Sequence, residues 1–343
     1  MKNNINQTEW KIMDIQRHAN KGPVYMDLDR IKEGPGPFTI SFGFFLDPLI
    51  QSIKDFGLIN PPYVTKNREG QMDVIMGYRR ITALKSIGWK SVPVFDLSDC
   101  GLSAKELFLC NLQDNLVMRS FNPVEKGMIL KRLSNYFSKQ EISDRYISLL
   151  GITSLREIDF FLELDDQDGR LKEAVIYEKI SPKAVRQILK MDGDSRSLVT
   201  GLITDLNLNF NQQLQFIEYI TDVSKKENQT ISGIINQAPF MEILCNNHLN
   251  KPQKTKKILG FLKWKKYPLL TQTETAFNKM ISDMNLPKRV RMIHPPFFEA
   301  SDYRLEISFK TGQELKESLD QLSMVEKIEH FSEPWEAILV EKN

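Results

Sequence analysis

The chain has 343 residues, room for two to three domains of roughly 100–200 residues each, and its hydrophobic fraction of 41% excludes wholesale disorder. Lys and Arg number 46 against 44 Asp and Glu, a formal balance of +2, so a nucleic-acid coat that is basic throughout is excluded and any nucleic-acid surface must be local. No apolar run approaches the roughly 20 residues of a membrane span. The opening Met1-Lys2-Asn3-Asn4-Ile5-Asn6 lacks the apolar core of a secretory signal, and Cys100, Cys110 and Cys245 are too few and scattered for a disulfide framework or a zinc site. These bounds predict a soluble, reduced, cytoplasmic, multidomain protein with no membrane partner.

After an N-terminal extension over 1–22, the segment 23–122 alternates strand-like and helix-like signals. Val24 to Leu28 reads as a strand, and Glu33-Gly34-Pro35-Gly36-Pro37 as a loop. Apolar residues at 49, 50, 53 and 56 make one helical face over Pro48 to Phe56, stopped by Gly57. Pro62 to Thr65 and Met72 to Met76 read as two strands around a polar turn. Gly77 opens a helix from about Arg79 to Ile87, capped by Gly88, and Val92 to Leu97 is a further strand. A small α/β domain fits this order.

From 123 to 190 the pattern is helical. Asn122 is a good N-cap, and Pro123 suits the first helical position. Helices are expected over 139–150, 153–164 and 182–190. Residues 191–343 predict an α+β region, with a helix near 211–225, a polar gap at 225–230, a strand at Tyr303 to Phe309, a helix from Gly312 to Leu322 and a final strand at Ala337 to Val340. Charge is uneven there: residues 239–298 hold eleven Lys/Arg against three Asp/Glu, a net of +8, while 299–343 hold five against eleven, a net of −6. The fold class is therefore α+β and multidomain.

Gly77-Tyr78-Arg79-Arg80 sits at a strand-to-helix junction. A glycine there lets backbone approach a ligand, helix N-terminal N–H groups favour anions, and two arginines add forked donors for phosphate. Solvated surface is the competing reading. Asp114-Asn115 places hard oxygen donors side by side, suited to a phosphate-bound Mg²⁺ or, more plainly, to a turn or cap.

The ordered set Ser52-Ile53, Gly57-Leu58-Ile59-Asn60-Pro61, Gly77-Tyr78-Arg79-Arg80, Asp114-Asn115-Leu116 and Asn122-Pro123-Val124-Glu125, with Pro93 in the strand after the arginine helix, resembles the ParB/RepB family of partition proteins over about residues 23–190. The resemblance implies a ParB/sulfiredoxin-like N-terminal domain that binds CTP and Mg²⁺, a helical DNA-binding domain with a helix-turn-helix, and a dimerisation module. In such proteins the nucleotide closes a dimeric clamp around DNA, in chromosome or plasmid partition with a ParA-type ATPase as partner. Carried over, Ser52, Gly57, Asn60 and Pro61 belong to the first nucleotide motif. Gly77, Arg79 and Arg80 hold phosphates, Asp114 and Asn115 sit beside Mg²⁺, and Asn115 also faces the nucleotide. The chain departs from the family in having Tyr78 and Asp114 for Glu, Asn60 for Gln and Met118 for Arg, with Arg119 adjacent. Tyr78 and Met118 discard ionisable groups, so CTP hydrolysis is expected to be slow or absent.

A helix-turn-helix is expected with Lys139 to Leu150 first, Gly151 in the turn, and a recognition helix begun at Thr153 that presents Ser154 and Arg156 to DNA. The six acids of residues 157–168 oppose phosphate, and a packed bundle with an acidic solvated face is the alternative. Lys251, Lys254, Lys256, Lys257, Lys263, Lys265 and Lys266 fall within sixteen residues without an acid. They predict sequence-independent nucleic-acid contact, with Phe261 and Trp264 available for stacking; a solvated lysine face is the competing reading. Enzyme readings are weaker. A sulfiredoxin needs a reactive cysteine where Tyr78 stands, and His18, His248, His294 and His330 are far apart. The expected function is thus a ParB-like, nucleoid-associated, homodimeric DNA-binding protein. Two alternatives stand beside it: a DNA-binding regulator that has lost nucleotide switching, and an enzyme on a sulfiredoxin-like fold.

Overall fold

The computed structural model describes residues 22–298 and 302–325, which divide into two compact units at Asp192/Gly193. The expected strand at 337–340, and His18 and His330, lie outside the described residues. The fold is α+β, as the sequence predicts.

The first unit is built on a four-stranded sheet of β1 (Val24–Asp27), β2 (Tyr63–Lys66), β3 (Met72–Met76) and β4 (Ser91–Asp96), in the order β1-β4-β2-β3. β1 and β4 are antiparallel, β4 and β2 parallel, β2 and β3 antiparallel. All five residues of β3 are buried, including Asp73, because both faces of the sheet are covered. That is why β3 reads as a nearly unbroken apolar run and not as an alternation. One face packs Met26, Val64, Val74, Val92 and Val94 against α1 (Asp47–Phe56) and α2 (Tyr78–Ser86) through Ile53, Ile81, Ala83 and Leu84.

The other face of the sheet joins a second core. Ile75, Met76 and Leu97 meet Leu107, Phe108 and Leu112 of α3 (Ala104–Met118) and Ile129, Leu130 and Leu133 of α4 (Pro123–Leu133). The same cluster continues through Ile142, Tyr146, Leu150 and Phe161. The helical segment after Pro123 therefore shares its core with the sheet. α5 (Lys139–Arg145), α6 (Arg156–Asp165), α7 (Gly169–Ile176) and α8 (Pro182–Ile188) complete the unit. Fully burying each Leu, Ile or Phe contributes roughly 1.5–3 kcal/mol, so this shared core binds the two segments firmly.

The second unit is a helical array, α9 (Gly193–Leu206), α10 (Phe210–Glu227), α11 (Ile231–Ile235), α12 (Ala238–Cys245), α13 (Lys251–Lys266) and α14 (Pro268–Asp283). Its core holds Val199, Ile203, Phe216, Ile220, Ile234, Phe240, Ile258 and Leu262. α10 runs to Glu227 and ends at Asn228 in the left-handed region (φ 50°), which shortens the expected polar gap. An antiparallel hairpin of β5 (Val290–Ile293) and β6 (Arg304–Ile307) is followed by α15 (Gly312–Ser323). No helix among the described residues is long and apolar enough to cross a membrane.

Candidate functional site

A cavity of about 950 Å³ opens in the first unit where the end of β3, the start of α2 and one side of α3 converge. Gly77 makes the turn possible. Its φ of +92° suits glycine, and a Cβ there would come within 2.9 Å of Pro62. The chain can therefore leave β3 and enter α2 with the helix N-terminus facing the cavity, an anion-favouring arrangement. Arg80 folds back across Gly77 and donates from Nη1 to the Asn60 carbonyl and, at 3.5 Å, to the Pro61 carbonyl. Burial pulls its guanidinium below the usual arginine range, and the nearby Asp114 carboxylate opposes that pull.

Arg79 is held differently. Its Nη2 donates to Glu125 Oε1 at 3.2 Å, and Phe44 lies over the guanidinium at 4.9 Å. Burial, then the neighbouring Arg119, pull Arg79 down, while Glu125 resists. Arg119 donates from Nη1 to Glu125 Oε2 at 2.6 Å, from Nε to Asn115 Oδ1 at 3.0 Å and from Nη2 to Ser41 Oγ at 3.1 Å. Asn115 in turn donates through Nδ2 to Asn111 Oδ1 at 3.0 Å, and Asn111 donates to the Phe38 carbonyl at 2.8 Å.

The cavity wall thus brings together Asn60, Pro61, Gly77, Arg79, Arg80, Asp114 and Asn115, whereas Ser52 and Gly57 do not line it. The sequence expectation put Met118 in the place of a family arginine. Met118 is 77% exposed at the cavity rim, and the guanidinium of Arg119 occupies the interior. Glu125 enters the sequence reading only as the last residue of the Asn122-Pro123-Val124-Glu125 motif, and in the structure it is the N3 member of a capping box with Asn122. Its second role, joining Arg79 and Arg119, needs the fold to become visible. Thr39, Ile40 and Ser41 also line the wall, from a segment just after the Gly/Pro-rich loop of residues 33–37 to which the sequence assigns no element.

No group of three or more His, Cys, Asp or Glu suited to a metal occurs among the described residues. Asn115 Oδ1 accepts from Arg119, leaving Asp114 as the hard oxygen donor beside Arg80. That donor set fits Mg²⁺ held mostly by phosphate oxygens and water, with one carboxylate, and does not fit an all-protein cage. The cavity also holds Tyr63 stacked on Phe95 (4.8 Å between centroids) and the Cys110 thiol, pushed up to about 11 mainly by burial. A thiol raised this far is a poor nucleophile at neutral pH.

The helix-turn-helix region departs from expectation at its turn. α5 ends at Arg145, and α6 begins at Arg156 and not at Thr153. The Thr153 N–H and hydroxyl both donate to Glu157, and Ser154 Oγ accepts from the Arg156 N–H, so these side chains hold residues 153–155 outside the helix. Gly151 does adopt the left-handed turn conformation (φ +61°). Ser154 and Arg156 are exposed. The acids of α6 are partly answered by cations: Asp165 and Asp166 by Lys131, Asp165 also by Lys172, and Glu157 by Arg186 at 3.7 Å.

The lysine segment forms α13, and its seven lysines separate into two groups. Lys263 pairs with Glu274 at 2.6 Å, Lys265 with Glu227 at 2.6 Å, and Lys266 with Glu218 and, at 2.7 Å, with Asp222. Lys266 also lies between the rings of Tyr219 and Tyr267. Lys254 donates to the Leu244 carbonyl. Lys251, Lys256 and Lys257 are exposed. Phe261 packs on Phe240 as a core contact, while Trp264 is 48% exposed.

Residues 43–102 match the family model described as ParB N-terminal domain. Over that stretch the chain is similar to a ParB N-terminal domain. A probable chromosome-partitioning protein ParB of Campylobacter jejuni is 27% identical over 251 residues, 69% of this chain and 87% of the relative. A nucleoid occlusion protein of Halalkalibacterium halodurans is 25% identical over 181 residues, 51% of this chain and 60% of the relative. Among solved structures, the C-terminally truncated chromosome-partitioning protein ParB of Caulobacter crescentus complexed with CTP-gamma-S is 18% identical with a TM-score of 0.26, covering 53% of this chain and 98% of that one. The family-model match and the Campylobacter relative support the ParB-type resemblance drawn from the sequence motifs.

Proposed function

We propose that this ParB-type chain is a DNA-binding protein of DNA segregation or nucleoid organisation, whose N-terminal cavity takes CTP with Mg²⁺ and whose DNA hold depends on that occupancy. The observation that carries this reading is the convergence of Arg79, Arg80 and Arg119 with the N-terminus of α2 on one cavity wall. Charge-assisted guanidinium–phosphate bonds are among the strongest polar contacts available. Bound Mg²⁺ would neutralise phosphate charge, with Asp114 as its protein ligand, and Asn60 and Pro61, whose carbonyls hold Arg80, would flank the nucleotide on the same side as that arginine. The protein acts as a homodimer on DNA, and a ParA-type ATPase is the expected partner. Ser154 in the turn before α6, Arg156 at its start, and Lys251, Lys256 and Lys257 on α13 are the exposed groups offered to DNA.

One observation favours the reading without nucleotide turnover. Tyr78 is turned toward Phe44, with ring centroids 6.1 Å apart, and carries no carboxylate, so the cavity has Asp114 but no second acid at the glycine turn. Binding with slow hydrolysis follows, and restoring Tyr78→Glu with Met118→Arg should raise the rate. The deciding experiment is a calorimetric titration of the full chain with CTP, ATP, GTP and UTP, each with Mg²⁺. Preferential CTP binding is expected. Equal affinities, or no binding, would overturn the nucleotide reading.

A further inference from the structure

Behind the arginine wall lies a carboxylate that does not itself line the cavity. Glu125 is 1% exposed and accepts from four donors: Arg79 Nη2, Arg119 Nη1, the Phe42 N–H at 3.2 Å and the Asn122 N–H at 3.2 Å. Two guanidiniums that face the cavity are thus anchored by one acid of α4. Arg79 keeps a buried Nε without a hydrogen-bond partner, so it is under-satisfied where it stands. Arg79, Arg80 and Arg119 against Asp114 in the wall and Glu125 behind it leave a net charge of +1.

On the phosphate reading proposed above, ligand oxygens arriving at this wall draw on the same guanidiniums as Glu125. We propose that Glu125 is a positioning residue that competes with the ligand phosphates for Arg79 and Arg119, and that this competition passes cavity occupancy to helix α6. The path is short. Glu125 is the third residue of α4, and two residues on, Gly127 lies against α6 so closely that a Cβ would sit 2.1 Å from the Phe161 carbonyl oxygen. Backbone meets backbone there, so the start of α4 cannot shift without moving α6. The same carboxylate holds the Phe42 N–H, and Asn122 Nδ2 donates to the Phe42 carbonyl at 3.0 Å, which ties in the loop that walls the cavity. Drawing both arginines toward phosphate would leave a buried carboxylate with two backbone partners, an expensive state that displacement of Glu125 relieves. By reciprocity, a partner whose affinity for α6 is changed by cavity occupancy must change the cavity ligand's affinity by that same factor.

The test uses the full chain and two probes, CTP and inorganic triphosphate, each with Mg²⁺. Glu125→Gln preserves shape and remains compatible with a capping box, yet removes the competing charge. Both probes are expected to bind it about tenfold more tightly than wild type, the order expected for one charged hydrogen bond, and Glu125→Asp should return affinity to near the wild-type value. In wild type, either probe should speed hydrogen exchange at the Phe42 and Asn122 amides and change it across Arg156–Asp165; in Glu125→Gln that response should vanish. Weaker or unchanged affinity in Glu125→Gln overturns the proposal, as does a wild-type exchange pattern indifferent to the probes, which decides the matter even if the variant folds poorly. If triphosphate shows the expected gain while CTP is not preferred to other nucleotides, the competition stands and the CTP reading falls. If neither probe binds either protein, both fall.

Discussion

Two regions of the chain are basic in sequence, and they end in opposite electrostatic states. The Gly77–Arg80 turn has only two arginines, but the fold adds a third from the end of α3 and points all of them at one cavity. The α13 helix has seven lysines in sixteen residues, yet three of them turn inward onto Glu274, Glu227, Glu218 and Asp222. Lys226 adds a cap by donating to the carbonyls of Lys265 and Lys266 at 3.0 and 3.1 Å. Local charge density is thus a poor guide to surface potential. What matters is whether acids from other helices reach the cations first, and whether the cations share a concave wall.

Removing a cation should separate the two regions most sharply. Arg80→Ala deletes a guanidinium from the cavity and should weaken CTP binding roughly 10- to 100-fold, taking about 1.5–3 kcal/mol for a charged hydrogen bond; calorimetry reads it, and unchanged affinity breaks the site assignment. In α13 the pair Lys265→Gln and Lys266→Gln should act on stability instead. Lys265→Gln leaves the partly buried Glu227 without its partner and should cost on the order of 1–2 kcal/mol in thermal unfolding. Lys266→Gln, whose partners Glu218 and Asp222 are largely exposed, should cost roughly 0–1 kcal/mol. Neither should change DNA affinity much. If these two variants melt like wild type and lose DNA binding, the inward pairing carries no weight and the contrast between regions collapses.

A finer cut lies within α13. Lys256→Gln with Lys257→Gln changes two exposed lysines and should leave the melting temperature alone. If both touch phosphate, the log–log salt slope for DNA binding should drop by roughly 0.9 for each, measured by fluorescence titration at several salt concentrations. An unchanged slope would make this half of the helix a solvated face. Arg156→Ala is the matching probe in the first unit. There, loss of preference for one site with background binding intact would assign base contact to the start of α6.

Much of the first unit was legible because its signals are local. The apolar run of β3, Gly57 closing α1, Gly77 opening α2 and the Asn122-Pro123 start of α4 each depend on a few neighbouring residues. Thr153 is the instructive exception: a threonine after a turn glycine suits an N-cap, but here its N–H and hydroxyl both donate to Glu157 and hold the segment in a turn. Arg119 and Glu125 were overlooked as site residues because their roles depend on Arg79, which is forty residues or more away in sequence and adjacent only across α2, α3 and α4. The lysine pairing in α13 was illegible for the same cause. Its acids come from α10 and α14, and no spacing within residues 251–266 encodes them.

The smallest expected effect is a pH dependence confined to the paired half of α13. Glu227 is held below the usual carboxylate range, chiefly by the hydrogen bond from Lys265, with burial opposing and Gln237 assisting. A carboxylate depressed in the folded state binds fewer protons folded than unfolded. Its stabilising contribution is therefore present in full above the unfolded glutamate value of roughly 4.3 and fades as pH falls through the lower folded value. Glu141, Glu157 and Glu314 are depressed too and add a similar acid limb, so wild type alone cannot isolate Glu227. The difference between wild type and Lys265→Gln can. Their stability gap should be constant from pH 6 to 8 and narrow as the pH drops below about 4.3, because protonating Glu227 removes the interaction that the variant already lacks. Urea unfolding at stepped pH measures the gap. A gap that stays constant through the acid range would mean that Lys265 stabilises the helix by packing its stem, and that its charge does nothing for the fold.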